Sequence, residues 1–159
     1  MIYYEPMLRN RHGKPYFTEA EFVDLNTLKR LQAKGLKAWN LFDPGLLFSV
    51  DNLRHYLGKP FIINNYSYGG DRKWSGYRSM YCLEGAVDSQ HRLGRAVDFV
   101  PVGITADEVR EIILKDPWNP KWKYITCLEM TRKGKSIPWV HMDTRNWDKI
   151  NNGILQLNL

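Results

Sequence analysis

The sequence predicts an α+β domain in which helices pack on one side of an antiparallel-rich sheet. Two segments, residues 44–57 and 106–114, combine helix-start signals with apolar residues at helical spacing. A third segment, residues 96–100, is an apolar run of strand length that precedes the second helix. Two more strands, residues 123–130 and 137–144, follow that helix and are close enough to form a hairpin. This order of elements is typical of an α+β domain.

Length and composition agree with a single domain over residues 1–159. A chain of 159 residues with 43% hydrophobic residues can bury a core, and it is too short to favour two domains. The sequence contains no internal repeat, low-complexity tract or linker. Pro6, Gly13 and Pro15 indicate that residues 1–16 form an irregular polar arm.

The first helix is predicted to begin at Thr18. Thr18 and Glu21 have the spacing of a capping box. Phe22, Leu25 and Leu28 follow at helical spacing, so we expect all three to point into the core. This helix is therefore expected to have a packing role.

The second helix is predicted to begin at Asp43, an acidic N-cap that is followed by Pro44 at the first helical position. Gly58 is expected to end it. Residues 61–65 are apolar at first and then polar, and they are predicted to form a short strand.

The third helix is predicted to begin at Thr105, which forms a second capping box with Glu108. It is expected to stop before Pro117, because proline cannot continue a helix. Residues 131–136 are expected to connect the last two strands as an exposed hairpin loop.

His91, Asp98 and His141 are the candidate metal ligands. Strand alternation places Asp98 on the face opposite to its two apolar neighbours, and an unpaired carboxylate there would be costly to bury. Two imidazoles and one carboxylate form the open zinc site of hydrolases, in which the fourth position is left for water. Spacing alone leaves open the alternative that each is an ordinary hydrogen-bonded polar residue.

Three motifs resemble, in this order, those of a known family. They are Ser75-Gly-Tyr-Arg-Ser79, Ser89-Gln-His-Arg-Leu-Gly-Arg-Ala-Val-Asp98 and Trp139-Val-His-Met-Asp143. Together they resemble the zinc D-alanyl-D-alanine carboxypeptidases and L-alanyl-D-glutamate endopeptidases. That family shares the Hedgehog/DD-peptidase fold, cleaves peptidoglycan stem peptides and includes many phage endolysins. Residues 43–66 also resemble the helix and strand that precede the first motif in the family.

The resemblance implies roles for residues beside the ligands. Arg78 matches the arginine that helps to polarise the scissile carbonyl, where a fixed guanidinium stabilises the developing oxyanion. A structural salt bridge is the alternative role for Arg78. Ser89 matches the serine two residues before the first zinc ligand, so we expect it to contact the substrate or groups around the metal. Tyr77 and Trp139 are expected to shape the substrate pocket.

The general base departs from the family pattern. Many members carry Asp or Glu three residues before the second zinc histidine, but here that position is Pro138. Glu129 is the predicted base, because a hairpin symmetric about Lys135 would place Glu129 opposite His141 on the same face. A shift of one residue in the register would turn Glu129 away. Asp143 is the second candidate, although orienting a ligand or an arginine suits it better.

These features predict a zinc-dependent peptidase with one Zn²⁺ per chain, acting on peptidoglycan stem peptides or cross-links. Zinc would lower the pKa of its water to about 7, and Glu129 would accept the proton from that water and later protonate the leaving amine. The alternative is a catalytically inert zinc-bearing structural or binding module, such as a phage virion component, which the missing acid at Pro138 favours. The choice between carboxypeptidase and endopeptidase stays open.

Composition bears on partners and location. A formal net charge of +6 is compatible with anionic cell-wall polymers, although most of the Lys and Arg residues are expected simply to solvate the surface. A nucleic-acid binder is the least favoured alternative, because the basic residues are scattered and no nucleic-acid motif is visible.

No apolar run reaches the roughly 20 residues of a membrane span, and the N-terminal residues lack the pattern of a signal peptide. An enzyme of the bacterial cell wall made in this way is expected to be synthesised in the cytoplasm and released by lysis, a holin or virion delivery. Cys82 and Cys127 are expected to be free thiols.

Overall fold

The computed structural model describes residues 5–159, which form a five-stranded sheet and four α-helices. The strands are β1 (Phe61–Ile62), β2 (Ala96–Pro101), β3 (Cys127–Arg132), β4 (Lys135–Asp143) and β5 (Leu155–Asn158). The helices are α1 (Leu25–Ala33), α2 (Pro44–Leu57), α3 (Ala106–Lys115) and α4 (Lys149–Asn152). The strands lie in the order β1-β2-β4-β3-β5; β3 and β5 are parallel, and the other neighbours are antiparallel. The predicted α+β class is confirmed.

The hydrophobic core lies between helices α2 and α3 and one face of the sheet. Val97 and Phe99 of β2 and Val140 and Met142 of β4 are fully buried on that face. Helices α2 and α3 contribute buried apolar residues to the same core, namely Leu46, Leu47, Val50, Leu53, Val109 and Ile113. Because side chains alternate along a strand, the opposite face of β2 and β4 is left for polar residues.

Helices α2 and α3 begin where their cap signals predict. The Asp43 carboxylate accepts a hydrogen bond from the Leu46 backbone N–H at 3.0 Å, and Gly58 ends α2 in the left-handed conformation with a φ of 61°. Thr105 and Glu108 form the predicted capping box at the start of α3.

The prediction for the first helix is wrong in its start. Thr18 and Glu21 form the predicted capping box, in which the Thr18 backbone N–H donates to the Glu21 carboxylate at 2.7 Å. That box opens only a single 3₁₀ turn, Glu19–Glu21, and α1 begins after a second N-cap at Asp24. The 3₁₀ turn does not continue into α1, because the carbonyl of Phe22 accepts a hydrogen bond from the backbone N–H of Tyr77 at 2.8 Å. Phe22 is buried as expected, whereas Leu25 is 46% exposed at the first position of α1.

Strands β3 and β4 form a hairpin through a two-residue turn at Lys133-Gly134, which is shorter than the loop expected from the sequence. If this register continued without interruption, Glu129 would lie opposite Pro138. A bulge between Glu129 and Thr131 shifts the register by three residues, because residues 137–140 of β4 lie opposite Met130 alone, so Glu129 pairs with His141 instead. The predicted pairing is therefore confirmed, although a bulge produces it rather than a symmetric turn.

The strand expected at residues 61–65 is shortened to Phe61–Ile62. The chain then leaves the sheet because the backbone N–H of Asn64 donates to the carbonyl of Glu21 at 3.0 Å. The Asn64 side-chain oxygen also accepts from the backbone N–H of Ser75 at 2.9 Å. Asn64 thus ties the start of the first motif to the N-terminal part of the chain.

Two other differences concern β3 and β5. Strand β3 begins at Cys127 rather than at residue 123, because backbone hydrogen bonds from Trp122 to Asn119 and from Ile125 to Trp122 hold the preceding segment in turns. Strand β5 was not predicted; it adds to the sheet in parallel beside β3, so the sheet is mixed.

Candidate metal centre

His91, Asp98 and His141 meet on the polar face of the sheet. Asp98 on β2 pairs across the ladder with His141 on β4. His91 lies in the 3₁₀ turn Gln90–Leu93, which leads into β2. One possible ligand atom from each of the three residues lies within 4.8 Å of the others. All three are buried, with exposed fractions of 2% for His91 and 9% for both Asp98 and His141.

The turn that carries His91 is fixed by a close backbone approach. Gly94 follows this turn with a φ of +66°, and a Cβ at that position would lie 1.8 Å from the carbonyl oxygen of Leu41. The Gly94 carbonyl in turn accepts a hydrogen bond from the backbone N–H of Asp43 at 2.9 Å. Gly94 therefore allows the His91 turn to pack against the start of helix α2.

The first motif lies beside these ligands through three hydrogen bonds. The backbone N–H of Asp98 donates to the Ser75 carbonyl at 2.7 Å, and the backbone N–H of Arg78 donates to the His91 carbonyl at 3.2 Å. The His91 ring nitrogen Nδ1 lies 2.7 Å from the Gly76 carbonyl oxygen. The motifs that are separate in the sequence thus form one unit.

In each imidazole, the ring nitrogen that faces away from Asp98 has a hydrogen-bond acceptor, and this acceptor orients the ring. A carbonyl can only accept, so Nδ1 of His91 donates to Gly76. This leaves Nε2, which lies 3.3 Å from Asp98 Oδ2, as the nitrogen that could bind a metal. Nε2 of His141 lies 3.1 Å from Asp143 Oδ2, which leaves Nδ1, 2.7 Å from Asp98 Oδ1. Acceptors on the outer nitrogens are typical of metal-binding histidines.

The charges of the three residues are strongly coupled. Burial alone would raise the pKa of Asp98, but the adjacent His91 and His141 outweigh burial and hold it well below its usual range. Burial would lower the pKa of His141, but Asp98 and Asp143 outweigh it and raise that pKa to about 9. The pKa of Asp143 is lowered in spite of burial, because His141 and Arg145 both donate to it. A divalent cation can take the place of the proton on His141.

The donor set of the group fits a metal ion. Two nitrogen ligands and one oxygen ligand converge, and each histidine already has its outer partner. Cys82 and Cys127 are both free and buried, as predicted for their thiol state. Burial, followed by the nearby Asp143, raises the pKa of the Cys127 thiol.

Two cavities meet at this group. The histidine cavity, of about 400 Å³, is lined by His91 and His141, and the tryptophan cavity, of about 490 Å³, is lined by Trp74 and Trp139. The lining residues that the two cavities share are Arg78, Gly85, Asp98 and Arg132. Together they form one groove that passes over Asp98.

Arg78 lies at the point where the two cavities join. Its Nη2 donates to Asp98 Oδ2 at 3.2 Å, and its Nε donates to the Trp74 carbonyl at 2.8 Å. Its Nη1 faces Gly85, where a Cβ would approach within 2.5 Å. The salt bridge considered as the alternative role for Arg78 is present, and it fixes a guanidinium at the edge of the candidate metal centre.

The two candidate bases have different surroundings. Glu129 is 3% exposed, lines the histidine cavity and pairs across the ladder with His141. Both of its carboxylate oxygens accept hydrogen bonds from Arg132, at 2.9 and 3.1 Å. Asp143 has no exposed surface and accepts hydrogen bonds from the Arg145 guanidinium and from His141. These contacts correspond to the orienting role that the sequence suggested for Asp143.

The other predicted site residues lie in different places. Ser89 is the N-cap of the His91 turn and lines the histidine cavity. Trp139 lines the tryptophan cavity, with the Arg132 guanidinium 5.4 Å from its ring centroid. Tyr77 lines neither cavity, and its ring packs edge-on against Phe42 with the centroids 6.3 Å apart. The location of Tyr77 favours packing over direct substrate contact.

Three contributors to the candidate metal centre are not predicted by the sequence. Arg145 follows the third motif by two residues, so its proximity to Asp143 gave a usable signal. The Gly76 contribution is a backbone carbonyl, which no side-chain pattern can reveal. Arg132 depends on the bulge in β3, which the alternation of the sequence does not indicate.

Comparison with known proteins gives no significant match: no protein-family model, no curated protein and no solved structure matches this chain. Within residues 5–159, no helix combines the length and the apolar character that crossing a bilayer would require.

Proposed function

We propose that the chain is a zinc-dependent peptidase with a Hedgehog/DD-peptidase-like fold that hydrolyses peptide bonds in peptidoglycan stem peptides or cross-links. The observation that carries this proposal is the buried His91–Asp98–His141 group, whose ligand atoms converge beside an open groove. Two imidazoles and one carboxylate suit zinc, and one ion would bind per chain. The three motifs that resemble peptidoglycan peptidases supply the substrate class.

The residues around the group have suitable chemistry for hydrolysis. Zinc held there would supply Lewis acidity and activate a water molecule. The Glu129 carboxylate would accept the proton of the attacking water and return it to the leaving amine. Each carboxylate oxygen can accept more than one hydrogen bond, so the contacts with Arg132 leave capacity for a water molecule. Arg78 would stabilise the oxyanion from the edge of the groove.

The proposed substrate and location follow from the groove and the motifs. The joined histidine and tryptophan cavities provide an open cleft on both sides of Asp98, which suits an extended peptide. The enzyme would act on the bacterial cell wall. Both a D-alanyl-D-alanine carboxypeptidase and an endolysin-type endopeptidase are compatible with this cleft.

One observation favours the second candidate, an inert zinc-bearing structural or binding module. Position 138 is proline, and both oxygens of the replacement acid Glu129 are already engaged by Arg132. Such a module would bind zinc at the same ligands and would release no peptide.

A Glu129→Gln variant separates the two candidates. The amide keeps the shape of the side chain but cannot accept the proton, so we expect zinc content to stay at the parent level and peptide release to fall about 100-fold or more. The matched control is Glu111→Gln, which removes an exposed acid of helix α3 that lines neither cavity. The enzyme is contradicted if the zinc-loaded parent releases no peptide from purified peptidoglycan, and the role of Glu129 is contradicted if the variant keeps the parent rate.

A further inference from the structure

Arg132 lines the groove beside Glu129, and the proposed mechanism gives it no role. Its guanidinium lies at the boundary of the two cavities and lines both of them. Its Nε donates to one oxygen of Glu129 at 2.9 Å and its Nη2 donates to the other at 3.1 Å. The two contacts fix both the position and the rotation of the carboxylate, as two parallel N–H···O bonds do.

The backbone shows how Arg132 reaches this position. In a regular strand, residues three apart point to opposite faces of the sheet, so Arg132 and Glu129 would be separated. Along β5, Glu129 lies opposite Leu157 and Thr131 lies opposite Asn158, so β3 has one extra residue, Met130, at this bulge. That extra residue brings Arg132 back to the face of Glu129. Arg132 therefore pairs with Lys135, while Glu129 keeps its place opposite His141.

The two members of the Arg132–Glu129 ion pair differ in solvent exposure. The Glu129 side chain is 4% exposed, whereas the Arg132 side chain is 50% exposed. The Arg132 guanidinium also lies 5.4 Å from the ring centroid of Trp139. Trp139 and Glu129 thus hold the guanidinium from two directions, and a buried carboxylate gains the cation that it needs.

We propose that Arg132 is a positioning residue for Glu129, holding its carboxylate in one orientation beside the metal ligands. This inference rests on the proposed role of Glu129 as the base. It gives the β3 bulge a function, because the bulge brings both members of the pair to the same face. It also gives Trp139 a supporting role toward Arg132 in addition to its place in the cavity wall.

The kinetic test uses Arg132→Gln and Arg132→Lys in the zinc-loaded protein. Without the guanidinium the carboxylate loses its fixed orientation, so we expect kcat on a soluble muropeptide to fall roughly 10- to 100-fold while KM changes less than about threefold. The lysine variant keeps the charge but not the two-point contact, and it should recover only part of the loss. Lys135→Gln is the control, because it removes a neighbouring positive charge from the same face of the hairpin.

A double-variant cycle distinguishes positioning from a general structural effect. In a Glu129→Gln background, a further Arg132→Gln change should alter kcat by less than about twofold, because no base is left to position. A purely structural role for Arg132 predicts the same fold-loss in both backgrounds. That result overturns the proposal. So does an Arg132→Gln variant that keeps the full kcat of a parent protein shown to be active.

A second readout does not depend on hydrolysis. The Nε–H group of Arg132 should give a slowly exchanging ¹⁵N signal, assigned by its disappearance in Arg132→Lys. Glu129→Gln should shift this signal and speed its exchange, and Lys135→Gln should not. An Arg132 signal that is unaffected by Glu129→Gln overturns the ion pair itself. A zinc-loaded parent that releases no peptide while this ion pair is present overturns the proposed function instead, and with it the base that Arg132 would position.

Discussion

Replacement of Asp98 by asparagine tests the metal group most selectively among single substitutions. Asp98 is the candidate ligand in contact with both histidines, through Oδ2 to His91 at 3.3 Å and Oδ1 to His141 at 2.7 Å. Asparagine keeps the size of the side chain and removes the negative charge, so a divalent cation loses its charged ligand. We expect Asp98→Asn to lose most of its stabilisation by zinc.

The magnitude follows from binding linkage. Zinc at 100 times its dissociation constant stabilises a folded protein by about 2.7 kcal/mol. For a domain of this size, each kcal/mol raises the melting temperature by roughly 2–4 °C, so zinc should raise the Tm of the parent by about 5–10 °C. The Asp98→Asn variant, at the same zinc concentration, should shift by less than about 2 °C.

The assay is thermal unfolding followed by circular dichroism, with each protein stripped by a chelator and then measured with and without zinc. The stability that the variant loses for other reasons, including its contact with Arg78, cancels because each shift is taken within one protein. Asp88→Asn is the control, since Asp88 is an exposed carboxylate that lines the histidine cavity. A zinc-induced shift in Asp98→Asn equal to that of the parent would refute the assignment of the ligand group.

Two further predictions concern stability. Gly94→Ala should lower the free energy of unfolding by about 2–4 kcal/mol in urea titrations, because its Cβ would meet the Leu41 carbonyl at a positive φ. Gly134→Ala, also at a positive φ but with nothing within 4 Å, should cost about 1 kcal/mol, and equal losses would contradict the steric argument. In metal-free protein, His141 keeps a proton up to about pH 9 that the unfolded chain releases near 6.5, so its contribution to stability is complete below pH 6.5 and is lost as pH rises through 9. Urea midpoints that rise over this interval would contradict that coupling.

The sequence predicted the candidate metal centre well because strand alternation is a strict rule. Once residues 96–100 and 137–144 are taken as strands, Asp98 and His141 must point away from their apolar neighbours, and the structure pairs them across the ladder. His91 required the motif resemblance, because a residue in a 3₁₀ turn has no such periodic constraint.

The helix starts show where local signals suffice and where they fail. Asp43 and Thr105 each act as the cap that the sequence indicates, and no nearby signal competes with them. Thr18 has a competitor in Asp24, six residues further on, and the carbonyl of Phe22 is taken by a long-range hydrogen bond. A tertiary contact therefore determines which cap starts the α-helix, and that contact cannot be predicted from the local sequence.

The hairpin shows how a correct prediction can have an incorrect reason. Glu129 was placed opposite His141 by assuming a turn centred on Lys135, whereas the real turn lies at Lys133-Gly134 and a bulge restores the pairing. The register shifts there by three residues, because residues 137–140 of β4 lie opposite Met130 alone. The position of such an irregularity depends on packing across the sheet rather than on local preference. The same bulge is the reason that Arg132 could not be assigned to the polar face from the sequence.

The central claim is tested most directly by measuring the zinc content of the purified protein by elemental mass spectrometry, beside digestion of purified peptidoglycan with and without a chelator. We expect about one zinc per chain and a release of peptides that the chelator abolishes and added zinc restores. Zinc at that ratio without any peptide release would contradict the enzyme and favour the inert module. A protein that takes up no zinc even when zinc is supplied would contradict the metal centre itself.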